Sequence, residues 1–299
     1  MNESYHSGFC AVIGRPNVGK STLLNQLIGQ RISIISEKAQ TTRNRIRLIY
    51  TDTRMQVVFL DTPGMQQPKN ELGEAMLRLS KGALDGADLI ILVVDTEAYG
   101  GRLDAMVDEV LESVSGIPVL LALNKIDTVS EDIVRERCAF YQEKGRLSAV
   151  CPISAAKGTG VPELLNKIYE FLPPGPQYYP EEMITDRSER FVVAEFIREQ
   201  CLHALREEIP HGIYVSIDQM KKRPDRDFYD IDATIVVEKD SHKGMVIGKG
   251  GRMLRHIGTE ARRAIEPMLD AGVNLQLWVK VEKNWRKKKK KVDDFGYDA

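Results

Sequence analysis

The 299-residue chain is poor in cysteine, in long apolar runs and in net charge. It has four cysteines, and they form neither a CxxC pair nor a cysteine–histidine spacing typical of a metal site. This pattern indicates a reduced, cytosolic protein without a disulfide framework or a zinc site. The longest apolar run, Leu89–Val94, lies between Asp88 and Asp95 and is far shorter than the ~18 residues of a membrane span. The polar start, Met1–Ser7, is too short for a signal peptide.

The net charge of -1 gives no information about a partner, because 42 basic residues are balanced by 43 acidic ones. The charge is uneven, however, since Lys239–Lys291 contains 15 basic and 5 acidic residues. A segment this basic can neutralise phosphates even in a neutral chain. The alternative is a solvated helix face followed by a solubilising tail at Arg286–Lys291. Both interpretations stay open at this point.

The first part of the chain alternates short apolar strands with helical patterns. Near-continuous apolar runs predict strands that are buried on both faces, and therefore a mostly parallel sheet covered by helices. This α/β alternation is typical of a nucleotide-binding fold. The predicted strands are Phe9–Ile13, Met55–Leu60, Asp88–Asp95, Pro118–Leu123 and Ala149–Ile153, and the predicted helices are Lys20–Ile28, Glu71–Leu84, Leu103–Val114, Glu131–Glu143 and Pro162–Phe171.

A proline-rich stretch, Leu172–Pro180, cannot continue a helix and predicts a semi-rigid linker. The pattern beyond it predicts the order α-β-β-α-α-β, a separate small α+β domain whose first helix spans Glu189–Glu208. We expect a nucleotide-binding domain at 1–173, a linker at 174–187, a second domain at 188–285 and a basic, then acidic, tail at 286–299.

The strongest motif is Gly14-Arg-Pro-Asn-Val-Gly-Lys-Ser21, which matches G-x-x-x-x-G-K-[ST] after a strand and before a helix. Its glycines let backbone N–H groups turn toward phosphate oxygens, and the following helix adds its dipole. Lys20 is expected to reach the β- and γ-phosphates, and the Ser21 hydroxyl to ligate Mg²⁺.

The base is predicted by Asn124-Lys-Ile-Asp127, which follows a strand about one hundred residues later. The Asp127 carboxylate can accept both the N1 and the N2 hydrogens of guanine, which adenine does not offer. Asn124 can bond the other edge of the base, and the stem of Lys125 can cover the ring. Ser154-Ala-Ala156 follows the next strand and is expected to support the base through backbone N–H groups.

A third motif, Asp61-Thr-Pro-Gly64, ends another apolar strand. Asp61 is expected to hold Mg²⁺ through water, and the Gly64 N–H to contact the γ-phosphate. In the polar loop Lys38–Arg43, Thr42 is the favoured switch ligand of the metal, with Thr41 as the alternative. The predicted catalytic set is Lys20, Thr42, Asp61 and Gly64. The predicted nucleotide contacts are Gly14, Arg15, Pro16, Asn17, Val18, Gly19, Lys20, Ser21, Thr22, Asp61, Thr62, Pro63, Gly64, Met65, Asn124, Lys125, Ile126, Asp127, Ser154, Ala155 and Ala156.

These elements resemble the G domain of small GTPases, and nearly all 299 residues together resemble the Era-like GTPase family. The most specific parts are Lys38–Arg43 and the Val246–Gly251 loop, and the second domain is similar to a type II KH domain. The resemblance implies GTP hydrolysis and binding near the 3′ end of small-subunit ribosomal RNA. It also implies a role in 30S subunit assembly and a cytoplasmic protein that associates peripherally with the inner membrane. A monomer without a DNA partner is expected.

The turn between two helices, Gly248-Lys-Gly-Gly251, supports the RNA prediction from the residues themselves. Glycines allow close approach to sugar-phosphates, Lys249 supplies a cation, and the neighbouring strand offers an apolar groove for splayed bases. A plain helix–turn–helix connection is the alternative. The basic window and the arginines after the turn favour RNA, and the predicted contacts are Gly248, Lys249, Gly250, Gly251, Arg252 and Arg255.

Two residues depart from the usual G-domain pattern. Met65 follows the DxxG glycine where many small GTPases carry a water-orienting glutamine, so intrinsic hydrolysis is expected to be slow. Asn17 either helps to bind a potassium ion that stands in for an arginine finger, as in some related GTPases, or only stabilises the loop.

We therefore predict a GTPase switch that needs Mg²⁺ and couples its nucleotide state to an RNA-binding domain. One alternative is a GTP-dependent RNA-modification factor, but residues 181–299 offer no nucleophile or cofactor motif. The other is a membrane-associated signalling GTPase, in which Arg286–Lys291 would contact anionic lipid.

Overall fold

The computed structural model describes residues 5–36, 38, 41–64, 68–97, 108–109, 111–112, 114, 116–143 and 145–297. The chain forms two α/β units, each built on its own sheet. The predicted helix Leu103–Val114 lies largely outside the described residues. The other predicted helices and strands are present, with shifts of a few residues at some ends.

A six-stranded sheet forms the first unit, with the order β2-β3-β1-β4-β5-β6. Only the β2–β3 pair is antiparallel, and the remaining pairs are parallel. Burial on both faces accounts for the unbroken apolar runs of the central strands. The bounds are β1 His6–Gly14, β2 Ile46–Thr51, β3 Met55–Asp61, β4 Leu89–Asp95, β5 Val119–Asn124 and β6 Ala149–Pro152.

Helices cover this sheet, and local sequence explains their ends. The Asn70 side chain accepts a hydrogen bond from the Gly73 N–H and so caps the second helix. Gly29 takes up a left-handed conformation that ends the first one. The described helices of the unit are α1 Lys20–Ile28, α2 Glu71–Gly82, α3 Glu131–Glu143 and α4 Val161–Phe171. No described helix of the chain is long and apolar enough to cross a membrane.

The second unit has the predicted order α-β-β-α-α-β and a three-stranded sheet, β7-β8-β9. Strands β7 and β8 are antiparallel, and β9 is parallel to β8. The first helix ends four residues before the predicted Glu208, ahead of a turn and a 3₁₀ segment that begins at Pro210. The bounds are α5 Glu189–Ala204, β7 Tyr214–Lys222, β8 Phe228–Val237, α6 Asp240–Ile247, α7 Arg252–Leu269 and β9 Gly272–Val281.

The segment between the units is ordered along the first sheet. Ile184 accepts a backbone hydrogen bond from Ile49, and Thr185 forms a β-bridge with Leu48. This contact covers the free edge of β2, which the sequence did not predict as a strand. A covered edge cannot pair with another chain, so the segment protects the sheet as well as connecting it.

Residues 285–297 pack into the protein, which disfavours the solubilising tail that the sequence left open as an alternative for Arg286–Lys291. Trp285, Val292 and Tyr297 are buried against the α2 residues Leu72 and Met76. A short helix, α8 Lys289–Asp294, lies within this segment. The sequence does not show this packing, because the basic run Arg286–Lys291 separates Trp285 from the later apolar residues and their partners lie far away in the sequence. The C terminus therefore joins the second unit to the helix that follows the DxxG motif.

Candidate functional site

The phosphate loop runs from the end of β1 into α1 and contains three residues with positive φ angles. Gly14, Asn17 and Gly19 all have positive φ, at 154°, 68° and 98°. A Cβ on Gly14 would lie 2.4 Å from the carbonyl oxygen of Val93 on the neighbouring strand. Only glycine fits there, so the motif's first glycine is required by the β1–β4 contact as well as by the turn.

Lys20 and Asp61 bring opposite charges into the buried floor of this site. The Lys20 ammonium donates to the carbonyl oxygens of Gly14 at 3.0 Å and Arg15 at 2.8 Å. Burial lowers the pKa of Lys20 to about 8 and raises the pKa of Asp61 to about 6, while each charge partly offsets the other's shift. An anionic phosphate beside Lys20 and a divalent metal beside Asp61 would each stabilise the charged form of that side chain.

The predicted magnesium ligands lie together. The Thr42 hydroxyl is 3.0 Å from the Ser21 hydroxyl, which is 3.4 Å from Asp61 Oδ2. Asp61 Oδ1 is buried and has no hydrogen-bond partner among the described residues. Two hydroxyls and an unpartnered carboxylate oxygen form an all-oxygen donor set that fits Mg²⁺. Thr41 instead donates to the carbonyl oxygen of Lys38 at 2.6 Å, which favours Thr42 of the two candidates.

The predicted guanine site is formed by the loops after β5 and β6. The Ser154 hydroxyl donates to Asp127 Oδ1 at 2.7 Å, and Lys157 lies 3.7 Å from Oδ2. The Ser154 hydrogen bond lowers the pKa of Asp127, with Lys157 adding to the effect. The carboxylate is therefore ionised at neutral pH and oriented as a hydrogen-bond acceptor.

Asn124 braces the site in a way that the sequence did not predict. Its Nδ2 donates to the Val18 carbonyl oxygen at 2.8 Å, and its Oδ1 accepts from the Ala155 N–H at 2.9 Å. One amide thus joins the phosphate loop, β5 and the loop after β6. A Cβ on Gly19 would approach Asn124 Nδ2 to 2.2 Å, so this contact also explains the motif's second glycine.

Asp95 is a further functional candidate that sequence reasoning missed. This nearly buried carboxylate at the end of β4 lies 3.1 Å from the Lys125 ammonium and 3.6 Å from the Arg15 guanidinium. It therefore links the base loop to the phosphate loop. Asp95 ends β4 just as Asn124 ends the neighbouring strand β5. This was the available signal, since parallel strands end at the same edge of the sheet.

The DxxG segment approaches the phosphate loop closely. Thr62 donates to the Val12 carbonyl oxygen at 2.8 Å, and Pro63 accepts from the Ser80 hydroxyl at 2.8 Å. A Cβ on Gly64 would lie 2.8 Å from the Pro16 nitrogen, so a larger residue would push the two loops apart. Met65 lies outside the described residues.

These elements enclose a cavity of about 490 Å³, which is in the range of small-molecule sites. Among the predicted contacts, Pro16, Asn17, Gly19, Lys20, Ser21, Thr22, Thr42, Gly64, Asn124, Lys125, Asp127 and Ala156 line it. Thr41, the alternative switch ligand, also lines it, as do Ile34, Ile35, Ser36 and Thr128, which the sequence did not assign. Nine predicted residues do not line the cavity: Gly14, Arg15, Val18, Asp61, Thr62, Pro63, Ile126, Ser154 and Ala155. All of these except Ile126 form the contacts given above, which support the loops around the cavity.

A second groove, of about 440 Å³, lies in the C-terminal unit between α7 and β9. Its wall includes Gly251, Arg255, Arg262 and Leu277. Arg255 donates to the Gly250 carbonyl oxygen at 2.6 Å and so braces the glycine turn. Lys249 and Arg252 are exposed beside the turn. The groove thus has an apolar side formed by β9 and a cationic rim, an arrangement that suits single-stranded nucleic acid.

Comparison with known proteins identifies both units. Residues 9–125 match the family model of the 50S ribosome-binding GTPases, and residues 208–286 match the KH domain. The GTPase Era of Alkaliphilus metalliredigens (strain QYMF) is 48% identical over 295 residues, covering 99% of this chain and all of the relative. The GTPase Era of Clostridioides difficile (strain 630) is also 48% identical, covering 98% and 99%.

Two solved structures match nearly the whole chain. One is Era in complex with MgGDPNP and nucleotides 1506–1542 of 16S ribosomal RNA, with a TM-score of 0.93 and 37% identity, covering 99% of this chain and all of the other. The other is a single-residue variant of Aquifex aeolicus Era bound to GDP·AlF4⁻, with a TM-score of 0.92 and 37% identity, covering 98% of this chain and all of the other.

Proposed function

The chain belongs to the Era family of GTPases, and on that basis we propose that it is a GTP-driven switch that binds the 3′ end of small-subunit ribosomal RNA during 30S assembly. The family accounts for the P-loop fold and the KH domain. The RNA partner is supported by the relative that binds nucleotides of 16S ribosomal RNA. Coupling between the two sites is the part that this chain's own contacts support best.

The observation that carries the proposal is the position of the described residues 31–36, 38 and 41–43, which we call the switch segment. On one side Thr42 faces Ser21 in the nucleotide cavity. On the other side the segment contacts the KH unit, where Glu199 accepts from the Ile35 N–H at 2.7 Å and pairs with Arg31. Lys38 donates to the carbonyl oxygens of Leu202 and Leu205. A movement of this segment with the γ-phosphate would therefore act directly on the KH unit.

For hydrolysis, the chain supplies charge and position around the β–γ bridge. Lys20 lines the cavity at the phosphate loop, where its cation would stabilise the charge that develops on the transferred phosphoryl group. Asp61, Ser21 and Thr42 would hold magnesium, which supplies neutralisation of phosphate charge when bound. The absence of a glutamine at Met65 supports slow intrinsic turnover, because a thioether does not orient water.

RNA is favoured over the two alternatives for physical reasons. Cys201, the cysteine of the KH unit, is fully buried on α5, and burial strongly raises the pKa of its thiol, so it is unsuited to catalysis. In the basic segment, Arg286 pairs with the nearly buried Glu238 at 2.5 Å, and Lys288 and Lys291 face Glu282. Fewer cations are therefore left for lipid than the sequence suggests.

Co-sedimentation with 30S particles tests this function. We expect the protein to sediment with the particles when a non-hydrolysable GTP analogue is bound, and less with GDP. Treatment with RNase should abolish the association. Sedimentation that is independent of both the nucleotide and RNA, or binding to anionic vesicles alone, would contradict the proposal.

A monovalent cation at the phosphate loop is a finer part of the proposal. Asn17 is exposed and lines the nucleotide cavity, where its side-chain oxygen can ligate potassium. We expect replacement of potassium by sodium at constant ionic strength to lower GTP turnover about tenfold, the scale of one charge-assisted contact. In Asn17→Ala the two salts should give the same rate. Equal turnover of the parent in both salts would leave Asn17 as a loop residue whose left-handed φ suits asparagine.

A further inference from the structure

Arg198 of the KH unit is buried against the segment that carries Thr42, one of the predicted magnesium ligands. Its side chain is 1% exposed although it carries a full charge. Glu195 lies one turn earlier on α5 and accepts two hydrogen bonds from it, from Nε at 2.8 Å and from Nη2 at 2.6 Å. Arg198 Nη2 also donates to the carbonyl oxygen of Thr41. Such a paired, planar guanidinium holds an acceptor in one orientation.

The Thr41 carbonyl belongs to the same planar peptide group as the Thr42 nitrogen. Fixing that carbonyl therefore restricts the backbone that presents the Thr42 hydroxyl to Ser21. The next residue is held as well, because buried Arg43 donates to the carbonyl oxygens of Ile213 at 2.5 Å and His211 at 3.0 Å. Thr42 is thus anchored on both sides by arginine–carbonyl contacts that cross the domain interface.

We propose that Arg198 is a positioning residue for GTP hydrolysis, supplied by the KH unit, which holds the Thr41–Thr42 peptide so that Thr42 completes the magnesium-binding set. The inference rests on the proposed switch role of Thr42 and extends it, because it makes the RNA-binding unit part of the GTPase site. Arg198 acts through Thr42 and does not line the nucleotide cavity.

Two consequences separate positioning from a general contribution to folding. Thr42 is expected to contact the metal only in the triphosphate state, so loss of Arg198 should affect GTP and spare GDP. The loss of one hydrogen bond from a charged donor corresponds to roughly a tenfold to hundredfold change. We therefore expect Arg198→Ala to lower kcat at least about tenfold and to raise the Mg²⁺ concentration needed for half-maximal turnover. The GDP affinity should stay within about twofold.

The experiment measures, on the full chain without RNA, kcat, its Mg²⁺ dependence, and the Kd values of GDP and of a non-hydrolysable GTP analogue. Arg190→Ala is the matched control, since Arg190 lies on the same helix, is exposed and contacts Ile217 instead of the switch segment. Glu195→Gln keeps Arg198 but loosens its orientation, so it should move the same quantities in the same direction by a smaller factor. This second variant decides the question if Arg198→Ala does not fold.

The inference is overturned if Arg198→Ala and Glu195→Gln turn over GTP with the parent's kcat and Mg²⁺ dependence. It is equally overturned if the affinities for GDP and for the analogue fall together. Failure of the proposed function looks different, because then the parent itself would hydrolyse no GTP or would not sediment with 30S particles.

Discussion

Replacing Asp127 with asparagine is expected to change the preferred nucleotide from GTP to XTP. The Asp127 carboxylate, oriented by Ser154, would accept the N1 and N2 hydrogens of guanine. An amide at this position directs its N–H hydrogens toward the guanine amino group, whereas the 2-oxo group of xanthine accepts one of them. We expect GTP affinity to fall about a hundredfold or more and XTP to bind better than GTP, because an unpaired buried polar group discriminates strongly.

Competition binding of GTP and XTP to the parent and to Asp127→Asn measures this exchange. Asp132→Asn is the matched control, since Asp132 is an exposed carboxylate on α3 that pairs only with Arg135 among the described residues. It should leave both affinities unchanged. An Asp127→Asn variant that stays folded and still prefers GTP would show that the base is recognised elsewhere.

The nucleotide site was predictable because its chemistry is local in the sequence. The glycines of the loop Gly14–Ser21 are needed for the positive φ angles of that same loop. The motif can therefore be recognised within one short stretch of sequence. The parallel sheet was predictable for a similar reason, since burial on both faces makes each strand an apolar run.

The features that the sequence did not reveal depend on distant partners. Arg198 and Arg43 are charged residues, and in the sequence such residues predict solvent exposure. Their burial becomes favourable only because carbonyl groups of the other unit accept their hydrogens. Trp285 is similar, since it stands next to a run of lysines and is buried by α2 more than two hundred residues earlier.

The edge strand β2 was missed for another physical reason. It pairs antiparallel with β3 and is only partly buried, so polar residues such as Arg47 interrupt its apolar pattern. Its second neighbour, the segment at Ile184 and Thr185, is an irregular stretch without a strand pattern of its own. Strands at sheet edges are therefore less visible in the sequence than central ones.

Replacing Gly250 with aspartate is expected to remove most RNA binding while GTP hydrolysis persists. No atom lies within 4 Å of the Cβ that the substitution adds, and aspartate tolerates the left-handed φ of 61° better than most residues. The fold should therefore survive. The new carboxylate would project beside Lys249 into the path of the sugar-phosphates and repel them. We expect the affinity for single-stranded ribosomal RNA to fall about tenfold or more at moderate salt, as the loss of one charged contact implies.

The basic C-terminal segment should contribute to RNA binding in a different way. Lys287, Lys289 and Lys290 are exposed and form no ion pair with any described residue, whereas Arg286 holds Glu238. A truncation at Arg286 would disturb the fold, so the better variant changes only the three exposed lysines to glutamine. We expect it to reduce the slope of log Kd against log salt by about 2, since each phosphate contact on a single strand contributes about 0.7. Its preference among RNA sequences should not change.

RNA affinity measured against salt concentration for the parent and both variants separates these effects. Gly86→Asp is the control for Gly250→Asp, because Gly86 also has a positive φ of 80° and open space at its Cβ but lies in the GTPase unit. Gly250→Asn adds nearly the same bulk without charge and should lose less affinity than Gly250→Asp. If a folded Gly250→Asp variant binds small-subunit ribosomal RNA as tightly as Gly86→Asp does, the glycine turn is not the RNA site. A large effect of the lysine variant in that case would identify the C-terminal segment as the principal RNA contact.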